Sequence, residues 1–425
     1  MLRLISGLIF LGVVGLLGFG VFILVWGVPR AEERPTLTAA SDIQDGQYLV
    51  QLGDCASCHT AEGKADELAG GYPMETPFGT IYSPNITPDK KTGIGNLTSA
   101  EFYQLIAYGA DSIWAPLYPA MPYTSFHNVD RDDSDKIFAY LQSLKPVDRP
   151  QTPNEMGFPF NIRPAMFGWD FLFASREPFQ PTEGKDDVWN RGKWIVEGLG
   201  HCGECHTPRN ALGAMKTGKD DALSGAVLGA LEAPDIRPAA LAERGWTRED
   251  LIIFLQTGAA PQGSAFGEMF LAVKNSFRHM TSDDLKAVST FLMDVPADEP
   301  TKGEKLVAAM GDKADPNKAG QALFLSNCSV CHGDKGQGVQ GAVPALMGNS
   351  TLGEPGGRNL VSVVTNGIEP QQADASSNAY GQMPSFGDRF SLEQMTDLAN
   401  FVRANFAPDG ASLTPLTQAE VAANQ

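Results

Sequence analysis

All six cysteines of this 425-residue chain fall into three Cys-x-x-Cys pairs, and a histidine directly follows each pair. The motifs are Cys55-Ala56-Ser57-Cys58-His59, Cys202-Gly203-Glu204-Cys205-His206 and Cys328-Ser329-Val330-Cys331-His332. Two thiols one helical turn apart can each add to a vinyl group of one haem. The adjacent imidazole then reaches the iron, which is c-type haem attachment. Zinc would draw two such pairs per metal and does not need a histidine directly after each. A disulfide set also leaves the histidines unexplained, and a thioredoxin-like site calls for one motif in a βαβ unit. The motifs therefore read as three covalently bound haems c, with His59, His206 and His332 on the irons.

The second axial ligand has to come from elsewhere in the chain. The soft thioether of methionine suits an electron-transfer haem and raises its potential. Met121 lies in Ala120-Met121-Pro122-Tyr123, 62 residues after His59, and Met383 lies in Gln382-Met383-Pro384-Ser385, 51 residues after His332. For the second haem Met269, 63 residues after His206, fits that spacing better than Met280, which lies almost on a helix start. Most methionines are core filler, but Met121 and Met383 stand in loops at matching places, each followed by a proline. His127, His201 and His279 read as locally hydrogen-bonded side chains, although His201 could face a haem propionate. The carbonyl of Pro344 could fix the tautomer of His332, and that of Pro208 could do so for His206.

The elements that must hold these groups repeat three times. Gly46, Gly192 and Gly320 each stand eight to ten residues before the first cysteine, in segments that suit a short helix leading into the motif. Segments from Ser134, Ser282 and Ser391 read as capped closing helices, and Thr98 and Thr247 open middle helices with capping-box signals. No sustained period-2 alternation appears, so few strands are expected. Residues 146–187 carry seven prolines and many aromatics, too apolar for a solvated linker, so they should pack on the domains or on a partner. The alanine-rich tail after Phe406 reads as loose or docked on a partner. From Leu4 to Val28 the only polar side chain is Ser6, long enough for a membrane-spanning helix. Pro29-Arg30 follows without a good cleavage site, so the helix is expected to be retained. The net charge of −18 argues against nucleic acid as a partner.

Long runs carry a family resemblance. They are Thr76-Pro77-Phe78-Gly79-Thr80-Ile81-Tyr82-Ser83-Pro84-Asn85, Tyr118-Pro119-Ala120-Met121-Pro122-Tyr123 and Gly200-His201-Cys202-Gly203-Glu204-Cys205-His206-Thr207-Pro208-Arg209-Asn210. The chain resembles the multihaem cytochrome c subunits of membrane-bound alcohol, aldehyde, gluconate and sugar dehydrogenases of acetic acid bacteria and their relatives. The resemblance implies an electron-transfer subunit with histidine–methionine haems. Such a subunit accepts electrons from a catalytic dehydrogenase chain (molybdopterin, quinoprotein or flavoprotein) and passes them to ubiquinone in the respiratory chain. A retained helix moves the preference toward an aldehyde dehydrogenase with a molybdopterin large subunit and a small iron–sulfur subunit. The alternatives are a multihaem peroxidase with one open iron position, or a relay to a terminal oxidase.

The expected fold is all-α. A transmembrane anchor over 1–30 holds the chain by one pass in the bacterial cytoplasmic membrane, with the haem domains periplasmic. Class-I cytochrome c domains with long loops cover 31–150, 188–295 and 319–406. An aromatic linker at 151–187, a charged linker at 296–318 and a tail at 407–425 complete the chain.

Overall fold

A computed structural model describes residues 27–61, 68–110, 116–296, 317–339, 342–368, 382–408 and 413–425, with Gly15, Gly18 and Gly20. The chain divides into two units, Met1–Gln180 and Pro181–Gln425.

The first unit opens on α1 (Ala40–Leu52) and α2 (Cys55–His59), the latter holding the first motif. A hairpin of β1 (Pro73–Thr76) and β2 (Gly79–Tyr82) follows. Helix α3 (Ser99–Tyr108) starts with the expected capping box, in which Thr98 and Glu101 satisfy each other's backbone N–H. After α4 (Tyr123–Phe126), α5 (Arg131–Ser143) closes the repeat. It begins three residues before the expected Ser134, because Asp130 accepts a hydrogen bond from the Asp133 N–H at 2.8 Å. Strand β3 (Glu155–Met156) pairs with β2, and α6 (Met166–Phe173) ends the unit.

The second unit holds the other two motifs. Helix α7 (Asp187–Trp194) runs through a π turn at Ile195–Leu199 into α8 (Gly203–His206). A hairpin of β4 (Ala226–Leu228) and β5 (Leu231–Ala233), α9 (Pro238–Glu243) and α10 (Arg248–Thr257) come next. The short pair β6 (Ala259–Ala260) and β7 (Gly263–Ser264) leads to α11 (Glu268–Asn275) and α12 (Ser282–Met293). The last segment contains α13 (Lys318–Asn327), α14 (Ser329–His332), α15 (Arg358–Asn366), α16 (Leu392–Phe406) and α17 (Gln418–Asn424).

Three times a leading helix crosses a closing one: α1 on α5, α7 on α12 and α13 on α16. The upstream glycine stands at each crossing. A Cβ on Gly46 would lie 2.0 Å from the Lys136 carbonyl oxygen, one on Gly192 2.0 Å from Ala287 O, and one on Gly320 2.2 Å from Asp397 O. The backbones meet because no side chain intervenes.

With the crossing fixed, unequal spacers must be absorbed before each motif. Gly320 is eight residues from Cys328, and α13 runs directly up to the cysteine. Gly46 is nine from Cys55, and the extra residue goes into a turn with Asp54 at φ 52°. Gly192 is ten from Cys202, and the π turn with His201 at φ 39° takes up the surplus.

Two expectations are corrected. The chain is not all-α, because three small antiparallel sheets lie among the described residues. Their strands have two to four residues, too short for alternation to show in the sequence. The single-pass anchor, and the membrane placement drawn from it, is also not supported. The run from Leu4 to Val28 lies almost wholly outside the described residues. Among the described residues no helix is long and apolar enough to cross a membrane. The 15 residues of α16 span only about 22 Å at 1.5 Å each, against a hydrocarbon core of about 30 Å.

The two apolar extensions pack on their own unit. Tyr118 Oη donates to Phe160 O at 2.8 Å, Tyr123 Oη donates to Asp170 Oδ1 at 2.7 Å, and the rings of Phe78 and Phe160 lie 4.4 Å apart. The described part of the C-terminal tail, 413–425, docks on its own unit. Leu416 and Val421 enter the core formed by Phe324, Leu398 and Phe401, and Asn400 Oδ1 accepts from Leu416 N–H at 2.7 Å.

Candidate functional site

Each motif sits on a short helical turn at the end of a leading helix, so its two thiols share a face. No disulfide joins any of the six cysteines. Burial pushes the Cys55 and Cys202 thiols up to about 12 and the Cys328 thiol up to about 11. Zinc sites want thiolates, and among the described residues no three His, Cys, Asp or Glu side chains gather as a metal cage. The neutral, buried thiols of Cys55, Cys202 and Cys328 fit addition to a porphyrin vinyl group instead.

The three histidines are held by one recurring device. His59 Nδ1 bonds Pro84 O at 2.8 Å, His206 Nδ1 bonds Pro234 O at 2.7 Å and His332 Nδ1 bonds Pro344 O at 3.0 Å. A carbonyl can only accept, so each Nδ1 carries the hydrogen and each Nε2 keeps its lone pair. Burial lowers the pKa of all three imidazoles, which favours their neutral form. Pro344 fills the role expected of it, whereas for His206 the acceptor is Pro234 and not Pro208.

A glycine completes the device. The N–H groups of Gly70, Gly225 and Gly338 donate to the carbonyls of His59, His206 and His332 at 2.7, 2.8 and 2.8 Å. All three glycines have positive φ, at 72°, 87° and 66°. A Cβ on Gly70 would lie 2.4 Å from the Pro84 carbonyl carbon, and one on Gly338 2.8 Å from that of Pro344. Sequence reasoning missed these glycines and Pro84 and Pro234. The interval from histidine to glycine is 11, 19 and 6 residues, so no common spacing marks them.

The third site is the most complete. An apolar cavity is lined by Phe324, Cys328, His332, Pro344, Leu360 and Met383. Met383 therefore lines the same cavity as His332. Its backbone is locked by two hydrogen bonds with Ile368, at 2.8 and 3.0 Å. Ser264 and Phe266, from the second segment, close one wall.

In the first site the aromatic segment braces the Met121 loop, since Tyr118 and Tyr123 flank Met121 and bond Phe160 O and Asp170. Burial raises Asp170 to about 6, partly offset by the Tyr123 hydrogen bond and Arg176. In the second site the candidate methionines differ in setting. Met269 lies half-buried in the first turn of α11, and Met280 is buried directly before α12. One hydrogen bond separates them. Middle helix α3 ends at Gly109, whose carbonyl accepts from Leu117 N–H at 2.6 Å, four residues before Met121. Middle helix α10 ends at Gly258, whose carbonyl accepts from Ala265 N–H at 2.7 Å, four residues before Met269.

The remaining histidines are local. His127 Nδ1 bonds Thr124 O at 2.8 Å and His201 Nδ1 bonds Leu199 O at 3.0 Å. His279 lies in a 3₁₀ turn.

Motif helices, carbonyl-tied histidines and an apolar cavity with a facing thioether define a c-type cytochrome. Comparison with known proteins gives the particular kind. The cytochrome c family model matches residues 43–145 and 317–405. The fructose dehydrogenase cytochrome subunit of Gluconobacter japonicus is 32% identical over 409 residues, covering 90% of this chain and 83% of that protein. The cytochrome c subunit of alcohol dehydrogenase (quinone) from Gluconacetobacter polyoxogenes is 33% identical, covering 88% and 83%. A nicotinate dehydrogenase subunit of Pseudomonas putida is 37% identical over 93% of this chain, which spans 33% of that protein's length. The chain belongs to the cytochrome c subunits of membrane-bound alcohol, fructose and gluconate dehydrogenases, and it is an electron-transfer subunit.

Proposed function

We propose that the chain carries three haems c, on Cys55/Cys58, Cys202/Cys205 and Cys328/Cys331, ligated by His59–Met121, His206–Met269 and His332–Met383. In this reading it relays electrons from a catalytic dehydrogenase chain to ubiquinone. The observation that carries it is the histidine device, which occurs at all three motifs with one geometry. A six-coordinate iron has no vacant position, so the chain conducts and does not transform a substrate. The acceptor rests on the family, one member of which is named an alcohol dehydrogenase (quinone). The domain limits proposed are 31–150, 188–295 and 319–406. The substrate belongs to the catalytic partner, since the relatives are named for fructose, gluconate, alcohol and nicotinate. Purifying the complex identifies that chain as molybdopterin, quinoprotein or flavoprotein, and shows whether an iron–sulfur subunit accompanies it.

Pyridine haemochrome assay of the purified chain is expected to give three haems, and the Cys202→Ala/Cys205→Ala double variant two. A wild-type count of two contradicts the reading. The second site supplies a separate test. Met269→Ala is expected to remove about a third of the methionine–iron charge-transfer absorption and to let carbon monoxide bind one reduced haem, while Met280→Leu does neither. The reverse result moves the ligand to Met280. Strong carbon monoxide binding by the unaltered protein favours the peroxidase alternative.

A further inference from the structure

Behind the wall of the third cavity lies a carboxylate that none of the foregoing roles uses. Glu354 is 8% exposed, in the turn between Leu352 and α15. Its Oε2 accepts from Asn359 Nδ2 at 2.9 Å. Asn359 is 3% exposed and is fixed from the other side, donating to Glu232 O at 2.8 Å and accepting from Glu232 N–H at 2.9 Å. Asn359, Thr351 and Leu352 line the third cavity, so the carboxylate stands one hydrogen bond behind its wall. The backbone here is clamped by Arg403, which donates to Leu352 O at 3.2 Å and to Glu354 O at 3.1 Å.

The charged groups around it come from every packed element. Arg244, at the end of α9, attracts the carboxylate and is itself largely buried, and Glu232 on β5 repels it. Arg358 on α15 faces Glu232. Arg403 on α16 touches the Glu354 backbone and also feels Glu420. Arg244 donates to Asp235 O, one residue from the carbonyl that holds His206. Burial dominates this balance and raises Glu354 to about 7, despite Asn359 and Arg244.

We propose that Glu354 is the proton site of this electron relay: its carboxylate binds a proton from bulk water more tightly when the third site gains one electron from the dehydrogenase partner, so that proton uptake offsets part of the charge that enters. The inference rests on the reading of the third site as a haem site. An electron added across the cavity wall is a unit negative charge facing a buried carboxylate. At about 10 Å and an effective dielectric of 20 such a charge strengthens proton binding by roughly tenfold. The linkage is reciprocal, so the reduced form is favoured wherever Glu354 can be protonated.

The test is a spectroelectrochemical titration of the full-length holoprotein at pH 6, 7, 8 and 9. The third haem is identified as the component that moves in a Met383→His variant. In the unaltered protein its midpoint is expected to fall as pH rises through about 7, by about 59 mV in all for a tenfold linkage and one electron. In Glu354→Gln the same midpoint is expected to be flat over that range. A flat wild-type midpoint, or a slope that survives in Glu354→Gln, overturns the proposal. Should that variant not fold, the reduced-minus-oxidised infrared difference spectrum of the wild type at pH 7 decides. A protonated-carboxyl band that shifts with ¹³C-glutamate labelling supports Glu354, and its absence overturns it. Haem counts on the same samples separate the two readings. Three haems with a flat midpoint sink only the proton site, and two haems sink the third-site reading beneath it.

Discussion

Met383→His is expected to lower the midpoint of one haem by on the order of 0.2 V, a fraction of the roughly 0.8 V that axial ligands span. A thioether is a soft ligand that favours the reduced iron, and a second imidazole favours the oxidised one. The size of the effect depends on the replacement reaching the metal. Met383 lines the cavity that also contains His332, and its main chain is pinned to Ile368 by a reciprocal pair of hydrogen bonds. That pinning does not involve the side chain, so an imidazole at 383 points into the same space. Two of three redox components should stay where they are, and about a third of the methionine–iron charge-transfer band should vanish. Met395 serves as the control, being a 1% exposed core residue of α16 outside the cavity lining. Met395→Leu should leave both the band and all three midpoints unchanged. If the variant at 383 leaves every component in place, the ligand is another residue.

The parts of this site that the sequence revealed are those with fixed local spacing. Cys-x-x-Cys-His is one turn of helix, and the capping pairs Thr98/Glu101 and Ser391/Gln394 are three residues apart by helical geometry. The glycines at 46, 192 and 320 were visible for the same reason, as neighbours of a motif, although only the structure explains why they are glycine. What stayed hidden depends on contacts across loops of unequal length. Pro84 and Pro234 reach their histidines over 25 and 28 residues, and Pro344 over 12. Pro208 attracted attention because it follows His206 closely, but the Nδ1 of that ring is taken by Pro234 O at 2.7 Å. Glu354 carries no motif at all. Its burial comes from α9, α15 and α16 closing around it, which no window of sequence contains. The tail misled for a related reason: its three large apolar side chains, Leu413, Leu416 and Val421, are scattered in sequence and all pack on the core.

Gly320→Ala is expected to destabilise the second unit by about 2–3 kcal/mol, in the range of overpacked cores. Alanine is the better helix former by about 1 kcal/mol, so propensity alone predicts the opposite sign. The contact decides. The new Cβ would meet Asp397 O at 2.2 Å and Phe401 Cβ at 2.6 Å, and the first of these is backbone that no rotamer change can move. Helices α13 and α16 must part by more than 1 Å to restore an ordinary contact of 3.4 Å or so. Parting loosens the core at Phe324, whose ring lies 5.6 Å from Phe401 and 5.0 Å from Phe406 and which also lines the cavity. Gly192→Ala meets Ala287 O at 2.0 Å and Gly46→Ala meets Lys136 O at 2.0 Å, so all three should behave alike. Gly168→Ala, within α6 and with nothing inside 4 Å, keeps only the propensity gain and should stabilise by about 0.5–1 kcal/mol. Thermal unfolding of the holoprotein reads both signs. At 2–4 °C per kcal/mol for a unit of this size, the crossing variant should melt about 5–10 °C lower. Equal melting of Gly320→Ala and wild type would show that the helices can separate without cost, and that the glycine has some other reason to be there.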